Sequence, residues 1–182
     1  MKFRFPIVII DEDFRSENSS GLGIRALADA IESEGFQVLG VTSYGDLSQF
    51  AQQQSRASAF VLSIDDEEFS PGPDLDPVVT NLRNFIEEVR WKNADVPIYI
   101  YGETKTSRHL PNDILRELHG FIHAFEDTPE FVARHIIREA KSYLEGIQPP
   151  FFRALLDYAE DGSYSWHCPG PVSYTHLRAH ET

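Results

Sequence analysis

Between Phe5 and Ile10 the chain runs without a polar residue, rich in Ile and Val, and Asp11-Glu12-Asp13 then closes the run. A strand sends alternate side chains to opposite faces, so an unbroken apolar run of this length needs cover on both sides. The signature recurs at Gln37 to Val41, Ala59 to Ile64, Pro97 to Tyr101 and Phe121 to Phe125. Five strands buried on both faces are therefore expected.

Helical patterns lie between them. Ile24, Leu27, Ala28 and Ile31 make one apolar stripe after Ser19-Ser20, and Gly35 stands where a glycine stop belongs. Leu82, Phe85, Ile86 and Val89 make a second, opened by Asp76-Pro77. The clearest opens at Thr128-Pro129-Glu130, presents Val132, Ile136, Ala140, Tyr143 and Leu144, and is expected to end at Gly146. Weaker helices are expected around Asp46 to Gln53 and Asn112 to Leu118, and a loop at Ser70-Pro71-Gly72-Pro73-Asp74. Strands alternating with helices imply right-handed crossovers and a parallel sheet covered on both faces. The fold class is α/β: a flavodoxin-like or receiver-like three-layer sandwich, five parallel strands in the order 2-1-3-4-5. That domain should occupy residues 1–147, with Gln148-Pro149-Pro150 as its boundary.

The 182 residues carry a formal net charge of -13, spread along the chain. A nucleic-acid backbone must be met by clustered Lys and Arg, and an anionic membrane surface likewise, so both partners are disfavoured. No stretch approaches the roughly 20 apolar residues of a membrane span, and the N-terminus does not read as a signal peptide. The one cysteine, Cys168, suits a reducing compartment, and the expected location is the cytoplasm.

In a doubly wound sheet, functional groups gather beyond the carboxyl ends of the strands. Those ends carry Asp11, Glu12 and Asp13 after the first strand and Asp65, Asp66, Glu67 and Glu68 after the third. Asp11, Asp13 and Asp65 fit the pattern in which a receiver domain holds magnesium beside a phosphate-accepting Asp, since a small hard cation takes oxygen ligands. A receiver also needs Ser or Thr ending the fourth strand and Lys ending the fifth, where this chain has Tyr101-Gly102-Glu103 and His123-Ala124-Phe125. The favoured reading is accordingly a solvated acidic rim, with no metal site. Ser20-Gly21-Leu22-Gly23 lacks the rest of a dinucleotide or phosphate-loop fingerprint and reads as the start of a helix. His109, His119, His123, His135 and His167 show no metal-ligand spacing, and Cys168 beside His167 is not a nucleophile-base geometry.

Beyond the boundary, Pro149-Pro150-Phe151-Phe152-Arg153-Ala154-Leu155 leads to Tyr164-Ser165-Trp166-His167-Cys168-Pro169-Gly170. This stretch resembles the opening of the pyridoxal-phosphate domain of bacterial ornithine/lysine/arginine decarboxylases. Upstream, Gly102-Glu103, Arg108-His109-Leu110-Pro111-Asn112-Asp113 and Glu126-Asp127-Thr128-Pro129-Glu130-Phe131 resemble that family's flavodoxin-like N-terminal wing domain. The resemblance implies a parent enzyme of fold type I that removes the α-carboxylate of a basic amino acid, with pyridoxal phosphate as electron sink. It also implies self-association as dimers and rings of dimers, to which the wing contributes. Some members bind a guanine-nucleotide alarmone, but no motif here carries that site over. On this reading residues 148–170 are a linker and the truncated start of the second domain. From Pro171 to Thr182 the chain departs from the family and resembles translated sequencing-adapter read-through, so it is set aside from fold reasoning.

Lys2, Lys92, Lys105 and Lys141 are the lysines, none in the Ser-x-His-Lys context that would hold the cofactor. The expected catalytic and cofactor-binding sets in this chain are therefore empty, and pyridoxal phosphate and the basic amino-acid substrate belong to the parent. A stand-alone receiver-like signalling domain is the alternative, and a nucleotide-binding flavodoxin-like module a third reading.

Overall fold

A computed structural model describes residues 3–43, 57–64, 77–92, 94–104 and 106–147. The expected helix at Asp46 to Gln53, the loop at Ser70 to Asp74, the Asp76 cap and everything from Gln148 onward lie outside these residues.

The strands are β1 (Phe3–Ile10), β2 (Phe36–Val41), β3 (Ala59–Ser63), β4 (Ile98–Gly102) and β5 (Gly120–His123). They form one sheet in the order β2-β1-β3-β4-β5, with every neighbouring pair parallel. The helices are α1 (Ser19–Ser33), α2 (Pro77–Lys92), α3 (Asn112–Glu117) and α4 (Pro129–Ile147), and a 3-10 turn spans Thr106–Arg108.

Alternation along the strands divides the core in two. Val8, Ile10, Phe60, Leu62, Ile98 and Ile100 pack with Val79, Leu82, Phe85, Ile86 and Val89 of α2 and Ile114 of α3. Ile7, Ile9, Ala59, Val61, Tyr99 and Ile122 pack with the stripes of α1 and α4. Each run is unbroken in sequence because its odd and even members serve different layers. At 25 cal/mol per Å2 of apolar surface, a buried Leu or Ile contributes about 1.5–3 kcal/mol. The doubly buried expectation holds for β1, β3 and β4. It fails at the edges: the middle of β2 is only partly covered and in β5 only Ile122 is buried, since an edge strand has one neighbour and incomplete layers over it.

Pro6 leaves a mark on the sheet. It has no N–H to donate, and the register of β1 against β2 shifts between Phe3 and Ile7. Its carbonyl still accepts from the Ser58 N–H at 2.9 Å, which helps satisfy a fully buried serine.

Helix ends correct one expectation. The side chain that caps α1 is Asn18, accepting from the Gly21 N–H at 2.8 Å. Gly35 does stop the helix, in the left-handed region at φ 95. Gly146 does not stop α4, which continues to Ile147. Burial of Leu144 one turn earlier outweighs the weak helix propensity of a single glycine. On the other layer, Arg90 ties α2 to the sheet and to α3 by donating to the carbonyls of Val96 and Glu117, both at 2.8 Å.

Two glycines test this packing with opposite signs. A Cβ on Gly21 would run into the carbonyl oxygens of Asp13 and Ser16, whereas one on Gly146 would meet nothing within 4 Å. Gly21→Ala should therefore destabilise the chain despite the better helix propensity of alanine. Gly146→Ala should stabilise it by up to about 1 kcal/mol. Urea denaturation followed by circular dichroism reads both; a stabilised Gly21→Ala would refute the close approach.

Candidate functional site

Parallel pairing places the carboxyl ends of all the strands on one edge of the sheet, and a depression opens there. Asp11, Glu12 and Asp13 enter it after β1, Ser63 and Ile64 at the end of β3, Tyr101, Gly102 and Glu103 at the end of β4, and Ala124 and Phe125 after β5. Ser20 joins them from the first turn of α1. The site lies beside the β1–β3 boundary, where the chain reverses its direction of winding and open α/β sheets leave a crevice.

The local geometry follows from the turn between β1 and α1. The Phe14 N–H donates to the Asp11 carbonyl at 3.0 Å and the Ser16 N–H to the Asp13 carbonyl at 2.7 Å. Arg25, one helical turn or more into α1, donates to the carbonyls of Phe14 (2.9 Å) and Ser16. Its guanidinium is thus engaged with backbone rather than with the acids. Gly21 lets the helix start press against this turn. Gly23 makes room for the Tyr101 hydroxyl, which would sit 3.0 Å from a Cβ there. The Ser-Gly-Leu-Gly segment thus has a packing reason at each glycine.

Asp11 corrects the picture of a solvated rim. It is only 5% exposed, and its Oδ1 is buried without a hydrogen-bond partner. Burial pushes its carboxyl above the usual carboxylate range, with the charges of Asp13 and Glu12 adding to the rise; the Ser63 hydroxyl and the backbone at Asp13 pull the other way. Tyr101 is likewise pushed up, first by burial and then by the charge of Asp11. Glu12 and Glu103 are exposed and Asp13 is half-buried, so for them the solvated description stands.

Of the receiver-like set, Asp11 and Asp13 come together at the mouth of the depression, whereas Asp65 lies outside the described residues. Among the described residues no three His, Cys, Asp or Glu side chains converge closely enough to hold a metal ion. Among the described residues no lysine or arginine lines the depression. Thr104 stands just past β4, but its hydroxyl donates to Glu126 at 2.5 Å and lies 3.4 Å from the Nδ1 of His123.

The histidines fall at separate places. His119 and His135 flank the buried Tyr99 ring, with centroids 6.3 and 5.9 Å away, and His123 lies against Phe121 at 5.0 Å. Burial, with the charge of Arg90, lowers the His119 pKa. His167 and Cys168 lie outside the described residues. Sequence reasoning did not pick out Phe125, whose backbone sits in the left-handed region at φ 67 and whose ring is 68% exposed on the rim. That conformation costs a non-glycine residue about 1–2 kcal/mol. Ser63 and the Tyr101 hydroxyl were missed too; the small residue at position 23 was the available signal for the latter.

A neutral group at position 11 checks the burial of charge. The folded pKa of Asp11 lies above its unfolded value, so the folded state holds the proton more tightly. Its unfavourable contribution is absent below the unfolded pKa, grows as pH rises through the window up to the folded pKa, and is complete above it. Asp11→Asn should therefore raise stability at pH 7 by about 1–3 kcal/mol and by much less at pH 3. Urea denaturation at the two pH values measures this, and an equal effect at both would refute it.

Among the described residues no helix is long and apolar enough to cross a membrane. The solved receiver domain of Clostridium thermocellum shares the fold alone, at 12% identity and a TM-score of 0.52 over 75% of this chain and 94% of that one. Lysine decarboxylase LdcA of Pseudomonas aeruginosa is 29% identical over 170 residues, 92% of this chain and 22% of the relative. Its solved structure superposes with a TM-score of 0.69 over the same shares. The biodegradative arginine decarboxylase of Escherichia coli is 25% identical over 166 residues, 90% of this chain and 21% of that protein. The chain thus spans about a fifth of the length of these curated relatives. Residues 19–143 match the Orn/Lys/Arg decarboxylase N-terminal domain, and the chain belongs to that family.

Proposed function

We propose that this chain is the N-terminal wing of a pyridoxal-phosphate-dependent carboxy-lyase acting on a basic amino acid, serving self-association and regulation of the parent while a second domain performs the chemistry. The family match over residues 19–143, together with the small share of each relative that the chain spans, carries this reading. On it, residues 148–170 are the linker and the opening of the cofactor domain, and 171–182 are not native sequence. Relatives named for lysine and for arginine match over similar lengths, so the substrate proposed is the class of basic amino acids.

The described domain does not suit the cofactor. Among the described residues its depression carries only acidic charge, which would repel a phosphate, and a cup for that group needs N–H donors and cations. Lys92 stands at the end of α2, paired with Glu88 at 2.8 Å, and Lys141 is exposed on α4. Neither lines the depression at the carboxyl edge of the sheet. On this reading the reactive lysine belongs to the second domain, and no step of decarboxylation is assigned to the described residues.

The purified 182-residue chain should release no carbon dioxide from lysine, arginine or ornithine with pyridoxal phosphate added, and should sediment as a dimer or larger species. Turnover would overturn the division of labour, and a monomer at all concentrations would remove the assembly role. Genomic DNA past the Gly170 codon should encode several hundred further residues with a Ser-x-His-Lys site; an in-frame stop there would sink the parent assignment. Stoichiometric labelling of Asp65 or Asp66 by a small phosphodonor with magnesium would favour a receiver-like signalling domain instead.

A further inference from the structure

The depression at the carboxyl edge of the sheet has no role in the reading above, yet its chemistry is one-sided. Among the described residues every charged side chain lining it is acidic: Asp11, Glu12, Asp13 and Glu103. A cluster of exposed acids would need no ligand, because water solvates it. Asp11 differs, being 5% exposed with an oxygen that has no hydrogen-bond partner. An ionised carboxylate held that way is costly, and a cation in the depression is a group that would offset it. The torsion of a carboxylate about χ2 is soft, so either oxygen can turn toward the opening.

Among the described residues the donors suit one kind of cation better than another. A small divalent ion requires several oxygens at about 2.0–2.1 Å around one point, and no three acidic side chains converge so among the described residues. A primary ammonium has three donors and no acceptor and takes oxygens at about 2.7–2.9 Å, neutral hydroxyls included. The depression offers the hydroxyls of Ser63 and Tyr101 close to Asp11. It also offers an apolar wall, for Phe125 stands 68% exposed at the rim, turned there by its left-handed backbone. An aromatic face beside carboxylates suits an alkylammonium, whose charge and methylene stem both pack against a ring.

We infer that this depression is a binding site for an organic cation bearing a primary ammonium group, with Asp11 as its charged partner, Ser63 and Tyr101 as neutral acceptors and Phe125 against the alkyl stem. The inference stands on the depression itself and not on the proposed parent enzyme. It gives the domain a means of sensing amines.

Titration of the 15N-labelled 182-residue chain with 1,5-diaminopentane and, separately, with 1-aminopentane tests it, at constant ionic strength. Saturable shifts at the amides of Asp13, Tyr101, Gly102 and Phe125 are expected with both amines, and at least a tenfold loss of affinity in Asp11→Asn. Tyr101→Phe should weaken binding several-fold with an unaltered spectrum elsewhere, which keeps the test valid should the first variant fold poorly. Magnesium chloride alone giving the same saturable shifts would make this a metal site and overturn the inference. So would non-saturating shifts with the amines, or full affinity in Asp11→Asn. None of these outcomes depends on whether the chain decarboxylates or self-associates, so the two proposals fail separately.

Discussion

Three central strands that are apolar on both faces govern this domain. Once β1, β3 and β4 must be covered from above and below, each needs helices on both sides, and short hairpins cannot supply them. Crossover connections follow, with the parallel sheet β2-β1-β3-β4-β5 and helices α1 and α4 on one face against α2 and α3 on the other. All carboxyl ends then share one edge of the sheet. The depression carrying Asp11 exists because of that edge.

The same constraint explains why the edge is crowded rather than open. Helix α1 must return along β1 at once, so its first turn presses on the loop after Asp11, and only glycine fits at position 21. The neighbouring ends of β3 and β4 approach closely as well: a Cβ on Gly102 would lie 3.0 Å from the carbonyl oxygen of Ile64. Asp11, first residue beyond the strand, is drawn under this cover, while Glu12, one position on, faces water. One step along the chain separates a buried carboxylate from an exposed one.

The likeness to receiver domains and the membership of the decarboxylase family are compatible because they concern different levels. The fold is shared through the burial rules above, which say nothing about chemistry. What a receiver would add, a lysine after the fifth strand and a free hydroxyl after the fourth, is replaced by His123 and by a Thr104 bonded to Glu126. The family signal rests instead on particular residues between 19 and 143.

The sequence by itself was sufficient for the strands, their order, the stripes of α1, α2 and α4, and the family. These depend on periodicity and local residue identity, which a chain displays directly. Tertiary structure alone decided which member of Asp11-Glu12-Asp13 is buried, that Tyr101 reaches across to Gly23, that Phe125 turns left-handed onto the rim, and that Gly146 continues a helix. Each of those outcomes depends on how far a segment from elsewhere in the chain approaches. Approach distance is set by packing between residues distant in sequence, and no local pattern encodes it.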